Sequence, residues 1–200
     1  LVKFHKFISV ILHPIVIPTL GVILYFMFIP NSIRSHQKLL ILGLIFVVTY
    51  LIPLLILLLL KTFRLIQSYQ VSSISERKIP ILLMIVLFYV LGNTLFSIPF
   101  VRDLGTLFFA TSFGLVIIYL LFMFQLKTSI HLLSIGIASG FFLLLSIQYA
   151  ISILPIICIL ILISGILASS RLYLKAHTPK EVYLGFFLGI VSPFVVNFML

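Results

Sequence analysis

The chain has 200 residues, of which 63% are hydrophobic and 8% charged, and its mean hydropathy is +1.40. Soluble domains carry about a quarter charged residues, so a soluble globular fold is excluded and an integral membrane protein is expected. Thirteen Lys and Arg against three Asp and Glu leave a net charge of +10, which points to orienting loop charges and to an anionic ligand.

At about 20 apolar residues per span, the length accommodates roughly six to eight helices and no soluble domain. Runs such as LIPLLILLLL are apolar on every face, whereas barrel strands alternate, so the expected architecture is an all-α polytopic transmembrane bundle forming a single domain over residues 1–200. Seven spans are predicted, at residues 7–29, 39–60, 80–100, 105–126, 131–149, 152–169 and 181–199, with a six-helix core as the alternative. Lys3 and Lys6 precede an apolar run longer than a signal-peptide core, so that run is read as the first span. Tight hairpins are expected at 101–104 and 149–152.

Prolines 14, 18, 53, 155 and 193 fall inside predicted spans, where they kink helices and carry no chemistry. His13, an ionisable residue within a predicted span, is a functional candidate by default, with a neutral imidazole bonded to a carbonyl as the alternative, and it is left outside the candidate site. Asn93 and Asn197 are assigned bonds between helices, and Cys158, within IICILILI, is read as a buried structural thiol with no disulfide or metal framework around it.

Seven spans place the amino-terminal segment and the loops after spans two, four and six on one face. That face holds Lys3, Lys6, Lys61, Arg64, Arg77, Lys78, Lys127, Arg171, Lys175 and Lys180, against Arg34, Lys38 and Arg102 on the other. As a positive-inside signal this puts the charged face in the cytoplasm, and the expected location is a bacterial inner membrane.

The polar chemistry is concentrated in residues 170–185, SRLYLKAHTPKEVYLG. A helix starting near Pro179 sets Glu181 four residues beyond His177, within reach of its imidazole, with Arg171 six residues upstream. An imidazole held in one tautomer by a carboxylate, beside a guanidinium that grips oxyanions, is equipped to attack phosphorus; the plainer alternative is a helix cap or a surface ion pair. Before the fifth span the chain reads Lys127-Thr128-Ser129-Ile130-His131, which places His131 at a helix start on the same face. It is the candidate general acid for a departing alkoxide, with an interfacial histidine as the alternative.

The order Ser170-Arg171, five residues, His177, three residues, Glu181, Val182, two residues, Gly185 resembles the third signature of the type 2 phosphatidic acid phosphatase family, which has Asp at the Glu181 position. Residues 128–131, TSIH, resemble its second signature, with Ile130 in place of glycine, and residues 70–78 its first, with Arg77 retained, Gln70 in place of lysine and Lys78 in place of proline. The resemblance implies a metal-independent, cofactor-free lipid phosphate or diphosphate phosphatase acting through a phosphohistidine. His177 would be the nucleophile, Glu181 its orienting acid and His131 the general acid. Arg171, Ser170, Arg77, Lys78, Ser129 and Lys127 would bind the substrate phosphate. A lipid phosphate within the bilayer is the implied partner, with no nucleic acid and no protein partner. A protein of the same fold that binds or carries a lipid phosphate without turnover is the alternative.

Overall fold

A computed structural model describes residues 1–69 and 73–200. The described chain is an all-α bundle whose helices are α1 (Val2–Ile11), α2 (Ile17–Phe28), α3 (Ser35–Phe46), α4 (Ile52–Thr62), α5 (Ile74–Phe96), α6 (Arg102–Met123), α7 (Ile130–Gln148), α8 (Leu154–Tyr173) and α9 (Pro179–Met199). Among the described residues six helical segments are long and apolar enough to cross a membrane, and they make the chain compatible with an integral membrane protein. One of these is the 28-residue rod Ser35–Thr62, in which a π-helical turn, Val47–Leu51, joins α3 to α4. That turn lies just before Pro53, whose missing amide and bulky ring disturb the regular ladder.

The first predicted span is not one helix. It is broken at residues 12–16 into α1 and the 12-residue α2, because Pro14 has no amide to donate and disfavours helical geometry at His13. Backbone bonds from Val16 N and Ile17 N to His13 O, at 2.8 and 3.3 Å, turn the chain there. The third predicted span also starts six residues earlier than its hydropathy indicates, since Ser73 caps α5 by accepting from Glu76 N at 3.3 Å.

α1 lies against the last turns of α8, where His5 stacks on Tyr173 with ring centroids 4.2 Å apart. From there α2 runs to the opposite end. Its Tyr25 hydroxyl donates to Asp103 at the start of α6 at 3.0 Å, and Tyr149, after α7, donates to the same carboxylate oxygen at 2.7 Å. Burial, together with the Asp103 carboxylate, raises the Tyr149 hydroxyl to about 12, so it remains a donor. The carboxylate thus ties three elements together at the end remote from the charged loops.

The centre of the bundle is α7, which packs on α9 along nearly its whole length. Glycines make this possible. A Cβ at Gly140 would stand 2.3 Å from Ile190 O, at Gly136 2.4 Å from Phe186 O, and at Gly189 2.4 Å from Leu133 O. Small residues four apart on both helices allow the backbones to touch, which is how helices associate in lipid, where no hydrophobic drive separates one apolar surface from another. Gln148 Nε2 donates to Asn197 Oδ1 at 2.7 Å near the far end of the pair, so Asn197 does bond between helices; Asn93 is exposed, and Cys158 on α8 is exposed rather than buried. Phe108, Phe122, Phe141 and Phe142 fill the core where α6 and α7 meet.

Several helices end with a residue other than glycine at positive φ, Ala150 (51°) and Lys175 (50°) among them. Ile151 N closes the α7 end on Ser146 O at 3.2 Å. Glycine suits that left-handed position better than alanine, so Ala150→Gly is expected to stabilise the protein by about 0.5–1 kcal/mol, read as a higher midpoint of detergent-induced unfolding followed by circular dichroism.

Candidate functional site

The start of α9 is built by local rules. Thr178 caps the helix, accepting from Glu181 N at 3.4 Å, and Pro179 occupies the first helical position, where no amide is needed. Glu181 therefore lies on the third helical residue, and its Oε2 is 2.6 Å from His177 Nδ1. With Nδ1–H donating to the carboxylate, Nε2 keeps its lone pair. The His177 side chain is 1% exposed and that of Glu181 21%. Burial pushes the imidazole below its ordinary value and the guanidiniums of Arg171 and Arg77 push the same way, while the Glu181 bond opposes them. The ring is thus neutral at neutral pH and able to act as a nucleophile.

Arg171 enters from the last turn of α8. The helix ends through Ala176 N on Arg171 O at 3.1 Å and a left-handed Lys175, and the chain then reverses to bring His177 back beside it. Arg171 NH1 donates to Ser9 Oγ at 2.6 Å, and its Nε is buried with no hydrogen-bond partner among the described residues. A buried guanidinium N–H without an acceptor is costly, and an anion would satisfy it.

His131 is the second residue of α7. Its Nε2 lies 3.3 Å from Ser9 O, and since a carbonyl only accepts, Nε2 carries the hydrogen and Nδ1 is the nitrogen free to exchange a proton. The start of α7 is anchored to that of α9 by Ser129 N donating to Glu181 O at 3.2 Å, and a Cβ at Gly185 would stand 2.6 Å from Ser129 O. Arg77 projects from the first turn of α5.

These elements converge on one cavity of roughly 210 Å³. His131, Arg171, His177, Arg77, His13 and Tyr69 line its polar end, and it continues between apolar side chains including Ile81, Met84, Phe88, Leu115 and Ile137. None of the chain's three acids lines it: Glu181 reaches it only through its bond to His177, Asp103 lies at the far end and Glu76 caps α5. The site therefore suits an anionic head with an apolar tail.

Other predicted phosphate ligands do not line the cavity. Ser170 is fully buried but donates to Ile166 O at 2.9 Å and lies 3.0 Å from His5 Nδ1, and Lys78 is exposed. Ser129 is buried behind the cavity wall with an unpartnered hydroxyl. Lys127 stays behind it too, near enough to Arg77 and Glu181 to feel both; burial first and then Arg77 lower its value. Ile130, at the position of the family glycine, is part of the cavity wall. Gln70 lies outside the described residues.

Sequence reasoning missed Ser9 and His13. Ser9 has no local signal, being a lone small residue in an apolar run, yet it holds Arg171 by its hydroxyl and His131 by its carbonyl. Ser9→Ala removes only the first bond and leaves a second buried guanidinium N–H unpaired, so it is expected to destabilise the fold by about 1–2 kcal/mol, read as a lower thermal midpoint, with Ser9→Thr restoring it. No protein-family model matches the chain, and neither a curated protein nor a solved structure matches it.

Proposed function

We propose that the protein is a metal-independent phosphatase acting on a membrane-embedded lipid phosphate or diphosphate through a phosphohistidine. The observation that carries this reading is His177, bonded to Glu181 at 2.6 Å, in the wall of the cavity that Arg77 and Arg171 also line. In the first step His177 Nε2 forms a bond to phosphorus as the P–O bond to the lipid breaks. Glu181 stabilises the positive charge that develops on the ring, and the two guanidiniums hold the equatorial oxygens. His131, protonated on Nδ1 and held through Nε2–H by Ser9 O, gives its proton to the departing alkoxide. In the second step water, losing a proton to His131, attacks phosphorus, breaks the P–N bond and releases inorganic phosphate. The apolar extension of the cavity favours substrates with a hydrocarbon tail.

The test is release of phosphate from phosphatidic acid, phosphatidylglycerophosphate or a polyprenyl diphosphate by purified protein in the presence of a chelator. Radiolabelled substrate should leave an acid-labile, base-stable phosphoryl group on the protein. Binding of these lipids without turnover would instead favour a non-catalytic lipid phosphate binder. Because burial and the two arginines hold His177 below its ordinary value, the acid limb of kcat/KM is expected below the usual imidazole range. We also place the charged end of the bundle on the cytoplasmic side of a bacterial inner membrane, which accessibility of single cysteines introduced at Lys78 and Lys38 to an impermeant thiol reagent would test.

A further inference from the structure

The break between α1 and α2 brings a third imidazole to the cavity. His13 lines its polar end together with His131, Arg77, Arg171 and His177, and its ring meets His131 edge to face, centroids 5.1 Å apart and planes at 81°. Its tautomer follows from the turn that Pro14 forces. Ile15 N donates to His13 Nδ1 at 3.3 Å, so Nδ1 supplies the lone pair and Nε2 carries the hydrogen. No described residue accepts from that Nε2. Burial, and after it the Arg171 guanidinium, push the ring below its ordinary value, and protonating it would set an N–H against the Ile15 N–H.

We propose that His13 is a substrate-touching residue that donates its neutral Nε2–H to a phosphoryl oxygen. This rests on the phosphatase reading and adds to it a ligand from the amino-terminal segment. The division of labour among the three rings follows from their partners. His177, bonded through Nδ1 to a carboxylate, offers a lone pair; His131, bonded through Nε2–H to a carbonyl, exchanges a proton on Nδ1. His13, bonded through Nδ1 to an amide, can only donate from Nε2. No bond to His13 forms or breaks during the reaction. Its hydrogen bond shortens as charge grows on the oxygen in the trigonal-bipyramidal transition state, and a fixed donor aimed at developing charge accelerates reactions by about 100- to 1,000-fold.

The experiment compares His13→Met, which has no donor, with His13→Gln, whose amide nitrogen can stand in for Nε2, in the full-length protein in nanodiscs. The readouts are p-nitrophenyl phosphate turnover and inhibition by orthovanadate, a trigonal-bipyramidal phosphate mimic, and by inorganic phosphate. Expected for His13→Met are a fall in kcat of about 100-fold and a similar weakening of vanadate, with inorganic phosphate weakened less than about tenfold. His13→Gln should recover most of the vanadate affinity. Unchanged vanadate affinity in His13→Met, or equal losses in both variants, would overturn the assignment. Proton NMR of ¹⁵N-histidine-labelled wild type gives a second measure that needs no folded Met variant. One Nε2–H resonance that is absent from His13→Gln should move downfield on adding vanadate, and a stationary resonance sinks the proposal. A wild type that neither turns over substrate nor binds vanadate would refute the phosphatase reading itself, whereas turnover indifferent to His13 would refute this inference alone.

Discussion

His177→Ala is expected to lower turnover of any lipid phosphate by about 10⁴-fold or more and to abolish the trapped phosphoryl group, while leaving helicity and thermal midpoint close to wild type. Removing a covalent nucleophile takes away a whole reaction path, which is why such losses exceed those of any binding residue. Imidazole added to the alanine variant should restore part of the phosphate release, since the space left by the ring lies in the cavity wall. His131→Ala should behave differently. Its loss depends on the leaving group and is expected to be large for an alkyl phosphate and small for p-nitrophenyl phosphate, whose anion departs without a proton. An alanine variant at 177 that still formed an acid-labile phosphoprotein would exclude this histidine as the nucleophile.

Gly189→Val should cost on the order of 3 kcal/mol or more and remove activity along with stability. A Cβ there would meet Leu133 O, Ile137 N and Gly136 Cα at 2.4, 2.8 and 2.9 Å, all of them backbone atoms that no rotamer change can move. α7 and α9 would have to separate, and with them His131 and the His177–Glu181 pair, which those helices bring together. The control is Gly165→Val on α8, where nothing lies within 4 Å of the added atom. It should change the unfolding midpoint by an amount corresponding to less than about 1 kcal/mol. Equal tolerance at both positions would show that the α7–α9 contact does not set the geometry of the site.

The parts of the site that are short-range could be read directly. Thr178, Pro179 and Glu181 follow the pattern of a helix start, and that pattern alone puts a carboxylate one turn from His177, where the structure has it. The long apolar segments were equally legible, because a span is announced by composition over about 20 residues. The first span was not read as broken, since hydropathy averages over the very residues, His13 and Pro14, that interrupt it. His13 was set aside as an imidazole bonded to a carbonyl, whereas its Nδ1 accepts from Ile15 N and its ring lines a cavity built from helices far apart in the sequence.

Two assignments by spacing illustrate the limit in the other direction. Ser170 precedes Arg171 as the resemblance requires, yet one residue is 100° around a helix, and its hydroxyl turns to Ile166 O and His5 while Arg171 enters the cavity. Lys78 likewise points outward beside Arg77. Adjacency in a sequence motif does not place two helical side chains on one face.

By itself, then, the amino-acid order determined that the chain forms apolar helices, which end carries the positive charge, and that His177 and Glu181 meet. These outcomes rest on hydropathy and on bonds spanning four residues or fewer, where chain connectivity leaves few alternatives. Only the tertiary structure decided that Ser9 holds Arg171 and His131 at once, that His13 joins them, and that one cavity receives all of these groups. Ser9 and Arg171 are separated by 162 residues, and their contact depends on how α1 packs against α8, a property of two surfaces together and of neither stretch of sequence alone.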